Sequence, residues 1–133
     1  LPAELRTNVR FVDEQHAQLL QIADDIYSEF NTNTDKVKLE ELVNFLAVYT
    51  EIHFNEEEKM MQDLGYEGLE AHKKEHDNFK CFIESAQNDI RQLDDLSVIS
   101  SEVISSLKDW IVEHVKGTDI KMAQQINIPK SYK

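Results

Sequence analysis

The sequence predicts an all-α fold, an antiparallel up-down-up-down four-helix bundle, on three observations. Helix breakers are few and confined: Pro2 and Pro129 lie near the two ends, and Gly65, Gly68 and Gly117 are the only glycines. Long stretches between them carry no interruption. Within those stretches apolar residues recur in alternating steps of three and four, the spacing of one helical face. No strand-like alternation of useful length, internal repeat or low-complexity segment competes with this reading.

The breaks divide the chain into helices at about 12–30, 36–64, 68–94 and 97–116, followed by an irregular tail. The first has the seam Val12, His16, Leu19, Ala23, Ile26, Phe30. It ends in the polar run Asn31-Thr32-Asn33-Thr34-Asp35, which suits a loop and caps the next helix. The second seam is Leu39, Val43, Leu46, Thr50, His53, Glu57, Met60, Leu64. The third, after the glycine pair, is Leu69, His72, His76, Phe79, Ile83, Ala86, Ile90, Leu93. The fourth enters at Asp94-Asp95-Leu96-Ser97 and carries Val103, Leu107, Trp110 and His114. Short connections make consecutive helices antiparallel neighbours.

A chain of 133 residues suffices for a single domain spanning 1–133. Lys and Arg total 14 against 26 Asp and Glu, a formal charge of −12. That balance speaks against nucleic acid and against contact with anionic membranes, both of which attract basic patches. No apolar run approaches a membrane span and no signal-peptide pattern opens the chain. Cys81 is the only cysteine, so no internal disulfide forms and a cytoplasmic, reducing setting is expected. It is read as a packed or half-exposed thiol. The first residue is Leu1, not Met, which hints at an excised domain or a trimmed product. A monomer is the expected state.

The polar exceptions on the seams carry the functional signal. All five histidines, His16, His53, His72, His76 and His114, fall on core-facing positions, joined by Glu57. One such histidine is ordinary core. Each unpaired buried polar group costs about 1–3 kcal/mol, and six would consume much of a net stability of about 5–15 kcal/mol. The topology brings them together: early in the first and third helices, late in the second and fourth, all six fall in one half of the bundle. The other half is lined by Ile26, Phe30, Leu39, Val43, Ile90 and Leu93. A polar level above an apolar one is the pattern of a metal site inside a bundle.

Spacing supplies the ligand geometry. His53 and Glu57 stand four apart, as do His72 and His76, so each pair shares a helical face. His114 and Asp119 stand five apart, which an α-helix would separate; Gly117 between them lets the helix end or unwind so that Asp119 turns inward. Five imidazoles and two carboxylates exceed the four ligands of a tetrahedral zinc and point to two metals. Two ferrous ions with two carboxylates and a bridging hydroxide would leave the centre near +1, tolerable in a partly dry interior. Spacing does not choose between iron, zinc and copper. Glu56 and Glu58 are read as solvated or supporting groups, and Met60 and Met61 as core.

His16, His53-x-x-x-Glu57, His72-x-x-x-His76 and His114-x-x-x-x-Asp119 resemble the ligand signature of the hemerythrins, most closely bacteriohemerythrins and bacterial hemerythrin-like domains. The words Asn8–His16, His53-Phe54-Asn55-Glu56-Glu57, His72–Asp77 and Asp109–His114 agree, and the likeness covers about residues 8–120. The resemblance implies reversible dioxygen binding at a non-haem pair of iron ions with an oxo or hydroxo bridge. It implies that His72, His76 and His114 hold one iron, that His16 and His53 hold the other with a position left open, and that Glu57 and Asp119 bridge. Leu19, Phe54, Trp110, Ile111 and Val115 would wall the oxygen pocket. Hemerythrins often begin with an aromatic-rich segment; here residues 1–10 carry no aromatic, so nothing in that segment stands out as a lid.

The resemblance implies either oxygen storage and transport or an oxygen- or redox-sensing domain with a fused or partner signalling module. A di-iron oxidase or peroxidase is the alternative. Its carboxylate-rich sites use Glu-x-x-His, whereas Asp13, Thr50, Leu69, Lys73 and Ile111 stand three residues before the histidines. A binding protein rather than an enzyme is therefore expected.

Overall fold

The computed structural model describes residues 1–32 and 35–133. Helices α1 (Arg10–Thr32), α2 (Lys36–Asp63), α3 (Leu69–Gln92) and α4 (Ser101–His114) form the predicted bundle. A π-helical turn (Val115–Asp119) and the short α5 (Ile120–Gln125) extend α4. α2 packs between α1 and α3, and α1 also packs against α4. No helix among the described residues is long and apolar enough to cross a membrane.

The helix ends follow from local chemistry. Asp35 caps α2, its carboxylate accepting from the Val37 and Lys38 amides at 3.0 and 3.3 Å; Asn33 and Thr34 of the predicted loop lie outside the described residues. α2 stops where Gly65 adopts φ +69°, and the Tyr66 amide reaches back to the Met61 carbonyl at 2.9 Å. The entry to the fourth helix differs from expectation. Asp95 does cap, accepting from the Ser97 amide, but only a 3₁₀ turn over Leu96–Val98. The helix itself starts at Ser101, capped by Ser100, whose hydroxyl accepts from the Val103 amide at 3.2 Å. Its buried stripe is Ile104, Leu107, Ile111 and His114, while Val103 is 39% exposed and Trp110 half-buried. Leu107 and His114 keep their expected positions; Val103 does not.

Two apolar clusters result. The larger includes Leu19, Ile26, Leu39, Val43, Leu46, Phe79, Ile83, Ile90 and Leu107. The smaller joins Val9, Val12, Met60, Met61 and Met122, with Phe11, Ile126, Ile128 and Tyr132 packed on it. The tail is therefore not irregular throughout: α5 and the residues after it cover the end of the bundle that the N-terminal segment leaves without aromatics. The Asp13 carboxylate accepts from the Thr7 amide and hydroxyl, both at 2.8 Å, and seats the approach to α1. Along every helix the histidines lie between these two clusters, so the polar layer is closed by apolar side chains above and below.

Candidate metal centre

His16, His53, Glu57, His72, His76, His114 and Asp119 are all buried in one chamber. α1 delivers His16, α2 His53 and Glu57, α3 His72 and His76, and α4 His114. Asp119 arrives by the second of the two routes the spacing allows, an unwinding of the helix and not its end. Gly117 does not end the helix. The Ile120 amide bonds to the Val115 carbonyl, an i→i+5 closure, which sets a residue five positions on nearly above its start. An α-helix would carry it roughly 140° further round. The π turn thus brings Asp119 Oδ1 to 3.1 Å from His114 Nε2. A Cβ at position 117 would meet nothing within 4 Å, so glycine is not sterically required there.

The seven groups divide into two sets that share both carboxylates: His72, His76 and His114 with Glu57 and Asp119, and His16 and His53 with the same pair. Each carboxylate turns one oxygen to each set. Glu57 Oε1 lies 2.7 and 3.3 Å from the Nε2 atoms of His72 and His76, and Oε2 lies 3.2 and 3.8 Å from those of His53 and His16. Asp119 Oδ1 faces His72 at 2.9 Å, and Oδ2 faces His16 at 2.9 Å. None of these inward oxygens, nor the Nε2 atoms of His16, His72, His76 and His114, makes a properly directed hydrogen bond. Their lone pairs converge on shared points instead of on one another. Buried orphans of this kind are costly, and two cations, each among imidazole nitrogens and carboxylate oxygens, would satisfy them; the donor set fits such a pair.

Side chains next to these residues in sequence fix the ring orientations. His76 Nδ1 lies 2.7 Å from Glu58 Oε2, and His114 Nδ1 lies 3.3 Å from Glu75, which also accepts from the Thr118 hydroxyl at 2.8 Å. His53 Nδ1 lies 2.6 Å from Gln15 Oε1, and the Gln15 amide nitrogen donates to Glu56. Carboxylate and amide oxygens only accept, so Nδ1 of these three histidines carries the proton and Nε2 presents its lone pair to the chamber. Aromatic faces complete the clamp: Phe54 stacks on His76 with centroids 3.7 Å apart, and Phe79, Trp110 and His114 form a second stack.

A cavity of about 10 Å³, close to what one water needs, adjoins the chamber. Leu19, Phe54, Trp110, Ile111 and Val115 line it, together with Phe79, which the sequence marks only as core. His16 and His53 reach it, as do His114 and the shared Asp119, so the two-imidazole set brings both of its rings to the cavity and the three-imidazole set one of its three. Cys81 is exposed and far from this layer in register.

Charge is tightly managed. Burial alone would push the Glu57 carboxyl up, but His53, His72 and His76 against it outweigh that and hold it well below the usual range. Burial and Glu57 act likewise on Asp119, and His114 and His16 overcome both. Burial lowers His72, yet Asp119 and Glu57 raise it to about 10. In metal-stripped protein, protonated His72 therefore contributes stability that is complete below about pH 6.5 and lost as pH rises through about 10. The depressed carboxylates contribute above their ordinary range and fail in acid. We expect the urea midpoint of chelator-treated protein to fall between pH 6 and pH 10; a flat profile would contradict the pairing.

The family model "Hemerythrin HHE cation binding domain" matches residues 7–126. The chain is 32% identical to myohemerythrin of Theromyzon tessulatum over 110 residues, covering 83% of this chain and 78% of that one. It is 32% identical to bacteriohemerythrin of Clostridium acetobutylicum over 120 residues, 87% and 92% of the two chains. A crystal structure of wild-type hemerythrin superposes with a TM-score of 0.81 at 25% identity, over 93% of both chains. With the family model spanning nearly the whole bundle and relatives this similar over most of their length, the chain belongs to the hemerythrin family.

Proposed function

We propose that this chain, acting as one domain over residues 1–133, binds dioxygen reversibly at a pair of non-haem iron ions. Hemerythrins are oxygen-binding proteins, not enzymes. The observation that carries the reading is the two sets of buried donors sharing Glu57 and Asp119, with one carboxylate oxygen turned to each set. His72, His76 and His114 would hold one iron, His16 and His53 the other, and the carboxylates would span both. When bound, two ferrous ions supply the electrons that hold dioxygen without a reaction on any further substrate.

The chain's own residues do the rest. Five donors on one side against four on the other leave the two-imidazole position short of ligands, and both of its histidines border the cavity, against one of three on the other side. Leu19, Phe54, Phe79, Trp110, Ile111 and Val115 keep the cavity small and apolar, which excludes water and slows proton-assisted oxidation of the centre. The same binding step serves storage, transport or sensing; the role depends on whether a signalling module is attached. A cytoplasmic setting accords with a single, exposed and unpaired Cys81.

The test is anaerobic loading with ferrous iron, then admission of air and return to argon. Two irons per chain and a visible band that appears and disappears with dioxygen support the reading. Irreversible colour with consumption of an added reductant would favour oxidase chemistry. In the same assay His53→Ala is expected to lose the iron nearest the cavity and the reversible band with it; an unchanged band and two irons would contradict its role.

A further inference from the structure

The Nδ1 partners of the chamber histidines differ in charge, and the difference follows the two donor sets. On the three-imidazole side, His76 and His114 are each backed directly by a carboxylate, Glu58 and Glu75, while Nδ1 of His72 has no partner. On the two-imidazole side His53 is backed by the neutral amide of Gln15, and Nδ1 of His16 has no partner. A carboxylate is close at hand there too, since Glu56 takes the other end of Gln15. The amide stands between that charge and the ring. An anionic acceptor on an Nδ1–H makes the opposite nitrogen a stronger donor and favours the more highly charged metal, whereas a neutral acceptor does so less.

We propose that Gln15 is a positioning residue that orients His53 while keeping the metal position beside the cavity electron-poor relative to its neighbour, so that this position holds its ferrous state more readily. The proposal rests on the two-iron reading above. Glu58 and Glu75 act in the opposite sense on the other position, and Thr118, anchored on Glu75 at 2.8 Å, ties that carboxylate to the π turn that carries Asp119.

The decisive variant is the swap Q15E/E56Q, which preserves the hydrogen bond between positions 15 and 56 and the net charge while moving the carboxylate onto His53. It is expected to retain two irons, with the ferric form favoured about tenfold, or ~59 mV for a one-electron couple, and with correspondingly faster oxidation in air. In zinc-loaded protein the ¹⁵N signal of His53 Nδ1 should move toward that of His76 Nδ1. Glu58→Gln, in an otherwise natural chain, should shift the potential in the opposite direction and supplies the test if the swap does not fold. Two bound irons with an unmoved potential and an unmoved Nδ1 signal would overturn the role of Gln15. Wild-type protein that takes up fewer than two ions would overturn the metal reading itself, a result visible before any substitution is made.

Discussion

Glu57→Ala is expected to strip the protein of metal, with iron per chain falling from two to near zero after desalting and affinity reduced by more than about 100-fold, the upper end of what even outer-shell partners cost. Among the described residues Glu57 is the only side chain that offers oxygens to four of the five imidazoles, two on each side of the chamber. Its loss removes a ligand from both positions at once and half of the buried negative charge that offsets the two cations. No neighbour takes its place. Glu58 is turned to His76 Nδ1 and Glu56 to Gln15. Glu57→Gln should fail almost as badly, because an amide keeps the shape but offers one oxygen where two are needed and aims N–H groups at the other position. Both variants should remain helical by circular dichroism, since the apolar clusters on either side of the layer are untouched. Retention of two irons in Glu57→Ala would remove the carboxylate bridge from the scheme.

How far this centre can be read from sequence depends on which direction a side chain faces. The seams of α1 to α3 and six of the seven candidate ligands, all but Asp119, were legible because each lies on the single stripe that faces the bundle axis, where a histidine among Leu, Ile and Phe is conspicuous. The entry to α4 was not, because Asp95 is as good a cap for a 3₁₀ turn as for a helix, and only packing decides that Ser100 starts the longer element. The five-residue gap from His114 to Asp119 signalled an irregularity but left its kind open, because a helix end and an unwound turn both bring the fifth residue back; the π turn is the second. Gln15, Glu75 and Thr118 escaped for a related reason, and Glu58 is read only as a solvated or supporting group with no partner assigned. Each sits beside a candidate ligand in the chain and so points about 100° round the helix. There Gln15, Glu58 and Glu75 each serve a histidine on the neighbouring helix, and Thr118 serves Glu75, pairings that no pattern within one helix reveals. The cavity-lining residues came from the family resemblance, and Phe79, which that route omitted, carries no mark that separates it from other core aromatics.

Phe54→Ala is expected to have the largest effect on stability, about 3–5 kcal/mol, and to lower the melting temperature by roughly 10 °C or more. The ring is 2% exposed and lies flat on His76, with interplanar angle 4°, and its edges approach Phe79 and Trp110. Truncation removes the face that holds His76 in place and merges the ring's volume with the adjacent small cavity. The enlarged space has room for water and, in His16, His53 and Asp119, polar groups to hold it. Ferrous protein should therefore oxidise faster in air even at temperatures where the variant is fully folded. Phe54→Leu separates the two consequences: it restores most of the apolar bulk, so most of the stability returns, while the flat contact on His76 stays lost. If oxidation slows in step with recovered stability, packing density alone protects the centre; if it remains fast, the stacked ring protects it by fixing His76. An oxidation rate equal to wild type in Phe54→Ala, measured well below its melting temperature, would show that Phe54 has no part in keeping water from the irons.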